Sequence, residues 1–264
     1  MSDERHPVVF VGAGPGDPDL ITVAGKKALE AADLVVHAGS LVSPEMLGWC
    51  RADCETVDSA GLDLAAIIAH LVRGWQAGGR VVRLHTGDPS LYGAIAEQIA
   101  ALEARGIAWR VIPGVTAAFA AAAHLGLEWT LPELTQTLIL TRAAGRTPVP
   151  KPESLAALTA HGSSLAIYLS AGQAGAVSTA LQVAFGPEAP VALAYRVSWP
   201  DQRFIWTTAR DLPQDLQASG LTRQVLILAG PAVMARAQGQ ASPASKLYDA
   251  QFSHGFRAGK DQAD

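Results

Sequence analysis

After a charged start, the chain opens on an unbroken apolar run, Val8–Val11, which ends in a Gly-rich turn. At Val23 it takes up the spacing of an amphipathic helix. Apolar runs then alternate with helical periodicity. Strands are predicted near Val8–Val11, Leu34–His37, Thr56–Asp58, Arg80–His85 and Ala108–Ile112. Helices are predicted near Val23–Ala32, Pro44–Arg51, Leu62–Gln76, Leu91–Arg105 and Thr116–Leu125. Strands apolar at every position are buried on both faces, and their alternation with helices predicts a largely parallel sheet covered on both sides.

Beyond the stretch LEWTLPELTQ the pattern changes. Strands are predicted near Leu138–Thr141, Leu165–Leu169, Val191–Val197, Phe204–Thr208 and Val225–Leu228, with helices near Ser154–Ala160, Ala174–Phe185 and Leu212–Ala218. Two strands follow each other without a helix in VALAYRVSWPDQRFIWTT, so antiparallel pairing and a mixed sheet are expected. The expected organisation is an α/β domain over residues 1–128, a linker at 129–136, a mixed α/β domain over 137–236, and a polar arm or tail over 237–264.

Composition narrows the function classes. A chain of 264 residues with 49% hydrophobic and 17% charged residues has ample core for two domains. A net charge of −4 argues against nucleic acid as partner. The longest uncharged apolar stretch, VTAAFAAAAHLGL, is too short to span a bilayer. Cys50 and Cys54 are too few for a zinc site and wrongly spaced for a C-x-x-C pair, and read as reduced thiols. No metal-ligand cluster is visible. The N-terminus lacks a signal-peptide pattern, and a soluble cytoplasmic protein is expected.

The chemistry is expected where strands end. Ligands of open α/β sheets sit beyond the carboxyl ends of the strands. Three unusual loops fall there: GAGPGDPDL, HTGDPSLYG and PGVTAA, each expected to open a helix with Thr22, Ser90 or Thr116 as cap. The first matches the dinucleotide fingerprint G-x-G-x-x-G at Gly12 and Gly14, but Asp17 occupies the third glycine position. With Asp88 in the second loop, that edge suits a cationic or neutral ligand better than a pyrophosphate; S-adenosylmethionine meets the requirement. None of the loops carries the lysine of a phosphate-binding loop. Gly87 is expected to let backbone approach the ligand. His37, His85 and His124 are expected to cap backbone groups.

Six segments, VGAGPGDPDLIT, HTGDPSLYGA, PGVTAA, TRAAGRTPVP, YRVSWPDQ and SKLYDAQFSHGFR, together resemble the tetrapyrrole C-methyltransferases of cobalamin synthesis. TR…GRTPVP and HAGSLV point, within that family, to methylation at C-11 of precorrin-4 or its cobalt form. The resemblance implies two α/β domains, largely parallel and mixed in sheet, with the active-site cleft between them, and a homodimer. It implies cofactor contacts from Pro15, Thr86, Gly87, Asp88, Ser90, Thr116, Ala117, Leu169, Tyr195 and Val197. It implies that the first loop, Gly14, Gly16 and Asp17, lines the place of the tetrapyrrole. Arg142, Arg146 and Arg196 are the expected donors to macrocycle carboxylates, and Asp17 and Tyr195 the candidates for proton handling. A dinucleotide-dependent oxidoreductase, a non-catalytic tetrapyrrole carrier, and methylation at other ring positions such as C-2/C-7 of uroporphyrinogen-III or C-17 are the competing readings.

Overall fold

A computed structural model describes residues 6–240 and 245–258. Packing divides the chain into two compact units, Met1–Ala121 with Arg196–Gln202, and Ala122–Tyr195 with Arg203–Asp264. The expected boundary at residue 128 thus stands beside a division at Ala121. The connection Arg196–Gln202, between two strands of the second sheet, belongs to the first unit.

The first unit holds five strands, β1 (Val8–Gly12), β2 (Leu34–His37), β3 (Glu55–Asp58), β4 (Val81–His85) and β5 (Trp109–Ile112). They pair in parallel in the order β3-β2-β4-β1-β5. Helices α1 (Val23–Glu30), α2 (Pro44–Leu47), α3 (Leu64–Gln76), α4 (Ile95–Glu103) and α5 (Ala117–Leu125) connect or follow them. Alternation of side chains along a strand sends Val8 and Phe10 into one core with Leu71 and Leu102, and Val9 and Val11 into another with Leu29 and Leu84. Every residue of β1 is buried, which is why its sequence shows no polar alternation.

The second unit holds β6 (Leu138–Arg142), β7 (Ser164–Tyr168), β8 (Pro190–Tyr195), β9 (Arg203–Thr208) and β10 (Val225–Ala229) in the order β6-β7-β10-β8-β9. β6 and β7 are parallel, while β10 runs antiparallel to β7 and β8, and β9 antiparallel to β8. Helices α6 (Leu155–Thr159), α7 (Ala174–Phe185) and α8 (Leu212–Ala218) cover a core that includes Leu165, Ile167, Leu181, Leu193 and Ile227. The expected fold class, a parallel sheet domain and a mixed one, is what the structure shows.

Several expectations are corrected. α4 begins at Ile95 rather than Leu91, because Tyr92 and Ala94 hold positive φ and a Cβ on Gly93 would overlap the Pro89 carbonyl. α2 ends at Leu47 rather than Arg51. β8 stops at Tyr195 and β7 at Tyr168, since Arg196 and Leu169 turn to φ of 43° and 53°. A further helix, α9 (Pro231–Ala237), follows β10 at the end of the expected second domain, where no helix was predicted. Gly230 opens it with φ of 96°, where a Cβ would lie 2.6 Å from the Ser163 carbonyl. The stretch 129–136 folds on itself through a Leu131–Thr135 bridge, with Trp129 and Leu131 buried. Of the expected arm, residues 245–258 form a small knot around Arg257, whose Nη2 donates to the carbonyls of Leu247 and Asp249 at 2.9 and 2.5 Å. Residues 241–244 and 259–264 lie outside the described residues.

Candidate active site

In the first unit the loops after β4, β1 and β5 are neighbours because those strands are adjacent. Their glycines seal them to one another. Gly14 and Gly87 exchange backbone hydrogen bonds at 3.1 and 2.8 Å, and the Ala13 N–H donates to the His85 carbonyl at 2.7 Å. A Cβ on Gly12 would come within 2.6 Å of Gly114 N and of Gly87 O. Gly12 and Gly114 are therefore required by loop-to-loop packing, while Gly14 is required by its φ of 79° and by the Leu20 carbonyl of its own loop, 3.0 Å from where a Cβ would lie. Gly87 is different. Its φ is 60°, and a Cβ there would meet nothing nearer than Thr116 Cα at 3.9 Å, so space beside it is open.

Asp88 ties the second loop to the third. Oδ2 accepts the Gly114 N–H at 2.9 Å, and Oδ1 accepts the Ser90 N–H at 2.8 Å and the Ser90 hydroxyl. Burial opposes ionisation, but the Ser90 hydroxyl and the two backbone donors outweigh it and hold the carboxyl below its usual range. Ser90 thus caps Asp88 and not a helix, since α4 starts five residues later. The alternative of Asp88 serving the α4 dipole fails for the same reason. Thr22 does cap α1, accepting the Gly25 N–H at 3.1 Å.

Beneath this loop lies a residue the sequence did not single out. Arg83 is buried on the α4 side of β4; its Nε donates to Gln98 Oε1 and its Nη1 to the Val36 carbonyl, both at 3.2 Å. Gln98 in turn donates to the Ala94 carbonyl at 3.1 Å, bracing the strained end of the second loop. Burial pushes the Arg83 guanidinium down to about 10. A lone arginine in an otherwise apolar strand, VVRLH, was the available signal.

The first loop is more enclosed than expected. Gly14, Pro15 and Gly16 are buried, leaving Asp17 as the member with surface. Asp17 Oδ1 accepts the Asp19 N–H at 2.9 Å, and its own N–H donates to Ser198 Oγ at 2.9 Å. Thr116 and Val197 are buried, and Thr86 is exposed.

In the second unit β6, β7 and β8 run the same way, so Arg142, Leu169 and Tyr195 fall at one edge of the sheet. Leu169 is 70% exposed. Ser170, fully buried, accepts the Ala143 N–H at 2.8 Å and donates to the Tyr168 carbonyl at 2.6 Å, which fixes the Leu169 backbone beside the loop after β6. Arg142 spends its donors inside that loop: Nη1 on the Thr147 carbonyl at 3.1 Å, Nη2 on the Pro148 carbonyl at 2.8 Å. Arg146 is exposed at the loop's tip. Arg203 lies over the Tyr195 ring at 5.0 Å.

The expected capping histidines do otherwise. His85 Nε2 and His37 Nδ1 are buried without partners, and His124 stacks on Phe204 at 4.2 Å. Among the described residues no group of three or more His, Cys, Asp or Glu could hold a metal ion.

The profile of the Tetrapyrrole (Corrin/Porphyrin) Methylases matches residues 7–213. The chain belongs to that family. This tetrapyrrole methylase is 43% identical over 256 residues to a cobalt-precorrin-4 C(11)-methyltransferase of Methanocaldococcus jannaschii, covering 97% of each chain. It is 44% identical over 253 residues to a precorrin-4 C(11)-methyltransferase of Pseudomonas aeruginosa, covering 96% of this chain and 99% of that one. A solved cobalt precorrin-4 methyltransferase, described as a cobalamin biosynthetic enzyme, superposes with a TM-score of 0.83 at 43% identity over 86% of this chain and 95% of that one.

Proposed function

We propose that this tetrapyrrole methylase transfers a methyl group from S-adenosylmethionine to C-11 of precorrin-4 in cobalamin biosynthesis. The observation that carries the reading is likeness along nearly the whole chain to relatives named for that reaction. Relatives with and without cobalt in their names stand at 43% and 44% identity, so the reading is stated at the level the two share.

The residues present fit the cofactor. When bound, S-adenosylmethionine supplies a methyl group on a cationic sulfonium and leaves as S-adenosylhomocysteine. Asp88, held as a carboxylate at an open loop edge, favours a cation and disfavours the pyrophosphate of a dinucleotide. Gly87 leaves room for backbone to meet a ligand. Thr86, Ser90, Thr116, Ala117 and the Val197 backbone are the further cofactor candidates of the first unit, and Leu169 and Tyr195 those of the second. Leu169 offers an apolar side chain held in the solvent by a strained backbone, a cost of about 1–3 kcal/mol that marks a functional position.

The chain's contribution to rate is alignment and exclusion of water, worth roughly 7–11 kcal/mol where geometry is near ideal. Asp17 and Tyr195 are the candidates for proton handling, and no single residue is assigned as general base. Arg146 is the exposed donor for macrocycle carboxylates. A cytoplasmic homodimer completes the proposal. Among the described residues no helix is long and apolar enough to cross a membrane, and both cysteines are free.

The test is incubation with precorrin-4 and methyl-labelled S-adenosylmethionine, followed by NMR of the product. Label on C-11 supports the reading. Label at C-2, C-7 or C-17 transfers it to a sister reaction, and calorimetric binding of NAD in place of S-adenosylhomocysteine refutes it.

A further inference from the structure

The connection from β8 to β9, Arg196–Gln202, is strained. Arg196 and Ser198 hold φ of 43° and 65°, the left-handed region that non-glycine residues occupy only at a cost. Within the connection the Trp199 N–H donates to the Arg196 carbonyl and the Gln202 N–H to the Trp199 carbonyl, both at 3.0 Å. The Ser198 N–H donates to Gln202 Oε1 at 2.9 Å.

What this segment holds is the Gly-rich turn after β1. Ser198 Oγ accepts the Asp17 N–H at 2.9 Å, and Trp199 Nε1 donates to the Pro15 carbonyl at 2.9 Å. The indole, 9% exposed, lies so close to Gly16 that a Cβ there would overlap its Cδ1 and Nε1. Behind the indole the Arg196 guanidinium sits 4.2 Å from the ring centroid, and Arg196 Nη1 pairs with Asp201 at 3.0 Å. Gly16, Trp199, Arg196 and Asp201 thus form four successive layers. A turn with Gly14 and Gly16 has many conformations open to it. Two hydrogen bonds and one aromatic face leave it one.

We propose that Ser198 and Trp199 are positioning residues that lock the Gly14–Asp17 turn and so fix where Asp17 is presented, with Arg196 backing the indole instead of gripping a substrate carboxylate. The proposal rests on the reading that this turn faces the macrocycle. Gly16 is glycine because the indole takes the space a side chain would need. Arg196 stacks on the ring and pairs with Asp201 through Nη1, while its Nε is buried without a partner.

The test is a double-mutant cycle between Gly16→Ala and Trp199→Ala, joined by Trp199→Phe and Ser198→Ala, each of which removes one hydrogen bond. Tm, kcat and KM for the tetrapyrrole, and S-adenosylhomocysteine affinity are read for each. Gly16→Ala is expected to lower Tm and kcat/KM in the wild-type chain and to cost less than about twofold in kcat/KM once Trp199 is Ala. Trp199→Phe and Ser198→Ala are each expected to lower kcat/KM for the macrocycle by about 2- to 10-fold, with cofactor affinity kept within about twofold. Equal cost of Gly16→Ala in both backgrounds overturns the lock. So does wild-type kcat/KM in both Trp199→Phe and Ser198→Ala, which carry the test should Trp199→Ala not fold. Parallel loss of macrocycle and cofactor affinity overturns the positioning role. If the wild-type enzyme fails to methylate precorrin-4, the functional reading falls, while the Tm cycle still decides whether the lock exists.

Discussion

His85 shows how far burial alone can carry a residue from its usual chemistry. It is 4% exposed, 6.0 Å from the Phe10 ring, and Nε2 has no partner. Burial first, then the charge of Arg83, pushes its pKa down to about 3. The unfolded chain takes up that proton near pH 6.5 and the folded one does not, so the unfolded state binds more protons between pH 6.5 and about 3. Stability is expected to fall with falling pH across that window by up to ~1.4 kcal/mol per unit. His85→Leu should flatten this slope in urea titrations from pH 7 to 4, and an unchanged slope would place the proton elsewhere. Gly87 makes a second residue-scale case. Its surroundings are open and only its φ of 60° resists a side chain, so Gly87→Asn should fold better than Gly87→Val. Both should lose S-adenosylhomocysteine binding by calorimetry, and retention by a folded Gly87→Asn would remove the second loop from the cofactor site. The sequence marked these glycines. It did not reveal that Gly12 and Gly114 make room for each other, because that depends on which strands are adjacent.

At the scale of elements, the strands were legible to within one or two residues, the central ones β1, β4 and β10 because burial on both faces writes an apolar run. Ends were less so. The apolar pattern of VALAYRV continues through Val197, but the backbone turns at Arg196, and nothing in hydropathy records a left-handed φ. α9 was not predicted because it is short and opens on Gly230 and Pro231, a turn signal. The loop after β6 shows the same gap between type and role. Its two arginines carry the same expectation, yet Arg142 is tied to the Thr147 and Pro148 carbonyls while Arg146 is exposed at the loop's tip. Arg146→Ala should lower kcat/KM for the macrocycle by about 10- to 150-fold, the loss of one charge-assisted hydrogen bond of roughly 1.5–3 kcal/mol. Arg142→Ala should instead raise hydrogen exchange across 143–149, and Arg142→Lys should not restore protection, since an ammonium lacks the planar fork. Equal exchange in both alanine variants would contradict the division of labour.

For the whole molecule, the alternation of strands and helices pointed to the parallel sheet, consecutive strands without a helix pointed to the mixed one, and the six motif segments pointed to the family. Strand order was not legible, because hydropathy does not say which strand a crossover reaches. The Ala-rich segment 115–123 offers little contact surface for a second copy: Ala118, Ala120, Ala121 and Ala122 are core, while Phe119 and Ala123 are exposed. The large apolar residue on the edge strand β9 is Trp206, 45% exposed. Sedimentation at micromolar concentration is expected to show a dimer, and Trp206→Glu to shift it toward monomer; a monomer for the wild-type chain would refute the assembly.

The bond from the Asp17 amide to Ser198 spans 181 residues of sequence. On a ribosome the parallel sheet of the first unit has all its strands once Ile112 has emerged, yet its Gly-rich turn must wait for most of the remaining chain before it can close. A nascent chain arrested before Ser198 is threaded out would therefore carry a finished sheet with an unfinished turn. The last part of the first unit to mature is the part nearest its beginning.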